Sequence, residues 1–284
     1  MSRLRRASRG ALSSTMSEIF KAIGFEITDE ESFDLLAVQA EDSGECSVLY
    51  REELILHGRC WRLGEGIEVW SVLCEKENDL FYADCRPAFR SRYARTIRSW
   101  ELVEYDEDGE AVIKGNTASG VELIFELQNL TEIDPRLFRD QELQIALAGL
   151  AYSVHADALQ PPPGASPATD TFLFERLPQT GGPADGPCDN DYRISGRIVA
   201  MKELKNPFTG IKLVWLFLDA DSIRLEVIVN VAEVTGILKL GSIVEASVWL
   251  QGHVLQANEM TARFEGVDPE HPRSDYWLLL RRTN

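Results

Sequence analysis

Apolar positions along the chain change period once, from helical to strand-like. Ile19, Phe20 and Ile23 recur at helical spacing over 17–24, where Gly24 reads as a stop. Thr28 followed by Glu31 has the form of a capping box, with Thr28 as the N-cap. Phe33, Leu35, Leu36 and Ala40 then predict a helix near 30–42. Beyond it the pattern becomes strand-like over 47–50, 54–61 and 67–74, with a glycine turn at 63–66. A hairpin is predicted between 100–105 and 111–114, joined by an acidic turn ending in Gly109, and a further strand over 121–127. Residues 142–155 read as a long strand, with a helix over 136–156 as the alternative. Together these elements predict a meandering antiparallel sheet.

The clearest interruption is 160–190, dense in proline and glycine, which regular elements tolerate poorly. Inside it the island TFLFERL, residues 171–177, is expected to dock as a short strand or turn, so that the linker is tethered. After it, strands are predicted over 192–201, 212–219, 223–229, 243–250 and 252–257. Gly196, Gly241 and Gly252 fall where small barrels bend their strands.

The runs SGRIV, NPFTG, VWLFLD, IRLEVIV and LKLGSIVEASVWLQGHV together resemble an OB-fold, a five-stranded Greek-key barrel. The whole arrangement also resembles uncharacterised bacterial two-domain proteins, a resemblance that implies no activity. The fold expected is therefore α+β: an antiparallel α+β domain followed by a small, mostly β, OB-fold-like barrel. Residues 1–15 are expected to be a disordered leader, 16–158 the first domain, 159–190 the linker and 191–257 the barrel. The tail 258–284 contains the apolar run 277–280 and is expected to pack back on a domain.

Charge changes this picture. The net charge is −17, and it is uneven. Residues 16–158 carry 30 acidic and 13 basic side chains, whereas 190–255 carry seven of each. Phosphate neutralisation supplies most of a nucleic-acid binder's affinity, so a neutral barrel beside an acidic domain argues against nucleic acid. Trp215 and Phe217, which could stack bases, are expected to fill the barrel instead. No apolar run reaches the length of a membrane span. The five cysteines form no CxxC pair and the four histidines no metal-binding spacing. They read as reduced thiols of a cytoplasmic protein, with no metal and no cofactor implied.

One local exception is basic. Arg86, Arg90, Arg92, Arg95 and Arg98 lie within thirteen residues, and guanidinium forks suit phosphates and carboxylates. Arg86, Arg90, Arg92 and Arg95 are candidate anion ligands, against the alternative that they pair with surrounding acids. Glu68, between Ile67 and Val69 on a predicted strand, faces either solvent or a cleft shared with Trp70. Buried in a cleft with Trp70 and His155, it would be a candidate general acid. No P-loop, nucleophile elbow or dinucleotide fingerprint occurs. The reading these features favour is a non-catalytic binding protein whose acidic first domain suits a basic protein partner. An inhibitor or immunity-like protein and an enzyme acting on a small anion between the domains are the alternatives.

Overall fold

The computed structural model describes residues 5–6, 14–105, 109–133, 138, 140–156, 172–177, 190–220 and 222–255. The fold is mostly β with two α-helices. Helix α1 (Ser14–Ala22) is followed by α2 (Glu30–Ser43). The N-cap of α2 is Asp29, not Thr28. Its carboxylate accepts from the Ser32 N–H while the Asp29 N–H donates to the Ser32 hydroxyl, so Ser32 takes the place expected for Glu31. Those donors hold the Asp29 carboxyl below its ordinary pKa.

A five-stranded sheet is built from β1 (Arg5–Arg6), β2 (Glu45–Tyr50), β3 (Ile55–Gly64), β4 (Ile67–Lys76) and β5 (Asp79–Phe89), in the order β1-β5-β4-β3-β2. Residues 1–15 were expected to lie outside the fold, yet Arg5–Arg6 pairs in parallel with β5 and α1 begins at Ser14. Strand β5 was not anticipated. Asp84, Arg86 and Pro87 break its apolar alternation, and Pro87 is accommodated opposite Val69.

The second sheet comprises β6 (Ala94–Tyr105), β7 (Glu110–Thr117), β8 (Glu122–Leu127), β9 (Glu142–His155), β10 (Leu173–Arg176), β11 (Asp191–Lys205), β12 (Lys212–Asp219), β13 (Arg224–Asn230), β14 (Val234–Thr235) and β15 (Ile243–Val254). Its ladders close into two rings sharing the antiparallel pair β9–β15. One ring runs β9-β13-β12-β11-β15 and the other β9-β6-β7-β8-β15. Strand β9 precedes the predicted linker and β11–β15 follow it, yet one ladder holds them all. Within that linker, β10 pairs with β11 and Phe174 stacks on Tyr192 at 4.6 Å. The apolar run 277–280 and Cys188 lie outside the described residues.

Two features of the expected barrel are corrected. Residues 243–254 form a single strand, so 252–254, where a separate strand was predicted to start, continue the preceding one, and β9 supplies the remaining ring position. Gly252 marks a close approach and not a bend: a Cβ there would lie 2.5 Å from two ring carbons of Phe125 and 3.2 Å from a Leu147 methyl. We expect Gly252→Ala to lower stability by about 1–3 kcal/mol through overpacking. An unchanged urea midpoint would contradict this.

The second correction concerns Trp215 and Phe217. Val214, Leu216 and Leu218 belong to the cluster filling the rings, with Leu225, Val227, Val244 and Leu250. Leu213, Trp215 and Phe217 alternate to the opposite face. There they pack with Phe20 of α1 and Ile23 just after it, Phe33 and Leu36 of α2, and Ile67 and Val69 of β4. They are fully buried outside the barrel, because helices and the first sheet cover that wall.

Candidate functional site

Strand β4 alternates Ile67 and Val69 toward the helices with Glu68 and Trp70 toward the second ring. Glu68 is therefore turned away from solvent and is 3% exposed. Its Oε1 accepts from Arg90 Nε at 2.7 Å and its Oε2 from Trp70 Nε1 at 3.1 Å. Arg62 Nε stands 3.6 Å away. Arg90 continues the chain of contacts through Nη1 to His253 Nε2 at 3.2 Å, with Glu132 at 3.9 Å. Burial alone would lower the Arg90 pKa, but Glu68 and Glu132 hold its charge, and the net shift is upward. Asn129 completes the layer, pairing with both backbone groups of Val254 at 3.0 and 3.1 Å.

This constellation binds β4, the end of β5 and β15 together. Glu68 meets two donors and no acceptor, and the pair is sealed from solvent on the carboxylate side. Such an arrangement fixes a carboxylate in place; it offers no path for a proton to a substrate. The histidine brought to Glu68 is His253. His155 is exposed at the far end of β9, nine residues along the strand from Ala146, the register partner of His253. At the rise of a strand that is about 30 Å.

The candidate anion ligands do not converge. Arg86 is 1% exposed, and its Nη1 lies 3.3 Å from Asp84, 3.4 Å from Glu126 and 3.2 Å from the Gly109 carbonyl. Arg90 is committed to Glu68. Arg92 and Arg95 lie on the side of the first ring: Arg95 donates to the Arg224 carbonyl and stacks on Tyr93 at 5.5 Å. Burial and the nearby Arg224 push the Arg95 pKa down to about 10.

The segment carrying those arginines is held by a residue the sequence reading did not single out. Glu226 on β13 is fully buried. Its Oε1 accepts from the Ser91 hydroxyl at 2.8 Å and from the Arg92 and Tyr93 N–H groups at 2.7 and 2.9 Å, while Oε2 accepts from Trp215 Nε1 at 2.7 Å. Desolvation pushes its pKa up, against the pull of these donors. A lone acid inside the apolar run IRLEVIV was the available signal.

Exposed chemistry lies elsewhere. An open groove of about 650 Å³ at the rim of the second ring is lined by Thr96, Arg98, Trp100, Asn116, Glu122 and Glu142, with Asp140 beside them. Three carboxylates against one arginine make it unsuited to an anion. The larger feature is the outer surface of α2 and β2. Leu35 and Val38 on α2 are 65% and 51% exposed, and Val48 and Tyr50 on β2 are 38% and 68% exposed. Residues 30–53 carry eight acidic side chains and one arginine, Arg51, which is bound to Glu104 at 2.6 Å.

Among the described residues, no group of His, Cys, Asp or Glu could hold a metal ion. Cys60, Cys74 and Cys85 are buried and Cys46 is exposed, all four as free thiols. Burial pushes the Cys60 and Cys85 thiols up, out of reach of a thiolate at neutral pH. No helix among the described residues is long and apolar enough to cross a membrane. No curated protein and no solved structure matches the chain. Residues 183–252, about a quarter of the chain, are similar to a family described as "Domain of unknown function, E. rectale Gene description (DUF3881)", and that span covers β11, β12 and β13 with most of β15.

Proposed function

We propose that the protein is a non-catalytic binding protein that docks a basic protein partner through the acidic, apolar-studded surface of α2 and β2. The observation that carries this reading is the coincidence, within residues 30–53, of eight acidic side chains with Leu35, Val38, Val48 and Tyr50 at the surface. Long-range attraction steers the encounter, and the apolar groups supply short-range adhesion once water is expelled. An inhibitor that neutralises a basic enzyme or toxin is the form of this reading that best uses a fixed negative surface. The enzyme alternative draws less support, because Glu68 is enclosed and Arg86, Arg90 and Arg95 are engaged by Asp84, Glu126, Glu68 and the Arg224 carbonyl. We also read the ring β11-β12-β13-β9-β15 as OB-like, with the parallel β13–β9 pair closing it; Trp215 and Phe217 are covered, so these two rings are not open to stack on a base.

Affinity capture tests the proposal by comparing the wild type with an Asp42→Asn/Glu52→Gln/Glu53→Gln variant. We expect proteins retained by the wild type and lost from the variant to be basic. Their recovery should fall as ionic strength rises from about 0.1 to about 1 M, where the Debye length shrinks from about 10 to about 3 Å. Equal recovery by both proteins, or recovery indifferent to salt, would overturn it.

A further inference from the structure

Resting on the reading above, we infer that the partner contributes an extended basic segment that adds as a new strand along the free edge of β2. Strand β2 ends its sheet, and no strand lies beyond it among the described residues. At the β2–β3 turn the Arg51 N–H donates to the Leu54 carbonyl, so residue 51 faces β3. Backbone groups alternate along an antiparallel ladder. Leu49, Ser47 and Glu45 therefore bond β3, while the N–H and C=O groups of Cys46, Val48 and Tyr50 point outward from the sheet, the Tyr50 carbonyl accepting a long contact from Arg51 Nη1 at 3.5 Å. Three consecutive outward positions form a template for strand addition.

The side chains of the same residues lie on the face that carries α2. The register places Val48 opposite His57 and His57 opposite Leu73, in phase with Val69, which packs under α2. An added strand would thus run beside Val48 and Tyr50 on the flank of the sheet whose face carries α2. Backbone pairing gives affinity in this mode, and alternate side chains give specificity.

Charge selects the occupant. Glu52 and Glu53 stand at one end of the edge, Glu45 at the other is paired with Arg62 at 2.6 Å, and Asp42 and Glu41 close the last turn of α2. Opposite charges across paired strands are favourable and like charges unfavourable. A second copy is disfavoured because pairing β2 with β2 would set these carboxylates against one another. The opposite edge of the same sheet already takes an arginine strand, Arg5–Arg6, alongside β5. A segment alternating arginine or lysine with β-branched residues fits both the edge and its surroundings.

The test uses the full chain and a synthetic peptide alternating arginine with valine. Hydrogen exchange should slow at the Cys46, Val48 and Tyr50 amides when the peptide is added. Val48→Pro removes one outward donor without breaking a β3 bond, since proline is tolerated on edge strands. It should lower peptide affinity by about tenfold or more, the equivalent of about 1.4 kcal/mol, with the melting temperature little changed. If Val48→Pro does not fold, the wild-type exchange pattern decides alone. Salt-sensitive binding that is lost on Glu52→Lys/Glu53→Lys but leaves those three amides unprotected would overturn strand addition while leaving the docking surface intact. No salt-sensitive binding at residues 30–53 would remove both. A dimer that the peptide dissociates would give the edge to a second copy and also overturn the inference.

Discussion

Replacing Glu226 by alanine is expected to destabilise the protein by about 3–4 kcal/mol. The carboxylate receives four hydrogen bonds, from Ser91, Arg92, Tyr93 and Trp215. Truncation leaves these buried donors without an acceptor, and each unsatisfied group costs about 1–3 kcal/mol before relaxation. Glu226→Gln keeps one oxygen for the 91–93 segment but sets its NH₂ against the Trp215 N–H, so a smaller loss of about 1–2 kcal/mol is expected. Because burial raises the pKa, the folded state holds this proton more tightly than the unfolded chain. Its stabilising contribution is therefore full below the ordinary glutamate value of 4.5 and is lost as pH rises through the raised value. The glutamine variant lacks that titration. The stability gap between wild type and Glu226→Gln should be widest at acid pH and narrow as pH rises. Urea melts of both proteins across a pH series check this, and a gap that widens with pH would contradict it.

Glu68→Ala is the second large effect, expected at about 2–3 kcal/mol. It removes the acceptor of Arg90 Nε and of Trp70 Nε1, the latter on a fully buried indole. Breaking one partner of a fully buried pair costs about 3–5 kcal/mol. Arg90 is 24% exposed and keeps Glu132 at 3.9 Å, which moderates the loss. A double-mutant cycle with Arg90→Ala should return a coupling of about 1–3 kcal/mol. Independent, additive losses would show that the pair does not act as a unit.

What could be read in advance follows from how local each signal is. The long strand β9 and helix α2 are set by their own periodicity, and both fall close to where the apolar pattern puts them. The island in the proline-rich segment was visible for the same reason. Strand β5 was hidden because its polar residues are satisfied far away: Arg86 reaches Glu126 and Gly109. The partner of Arg90, His253, stands 163 positions along the chain, and nothing in either neighbourhood announces the other. Strand β12 is buried on both faces, so alternation could not say which side of it lines the barrel. The acidity of 16–158, by contrast, was plain from composition; its conjunction, within 30–53, with exposed Leu35, Val38, Val48 and Tyr50 needed three dimensions.

That conjunction is open to one titration. The affinity of the wild type for an arginine–valine peptide, followed calorimetrically from about 0.1 to about 1 M ionic strength, is compared with that of the Asp42→Asn/Glu52→Gln/Glu53→Gln variant. We expect the wild type to weaken steeply with salt and the variant to start weaker and change little. Identical salt dependence in the two proteins would place the binding surface elsewhere and contradict a docking role for α2 and β2.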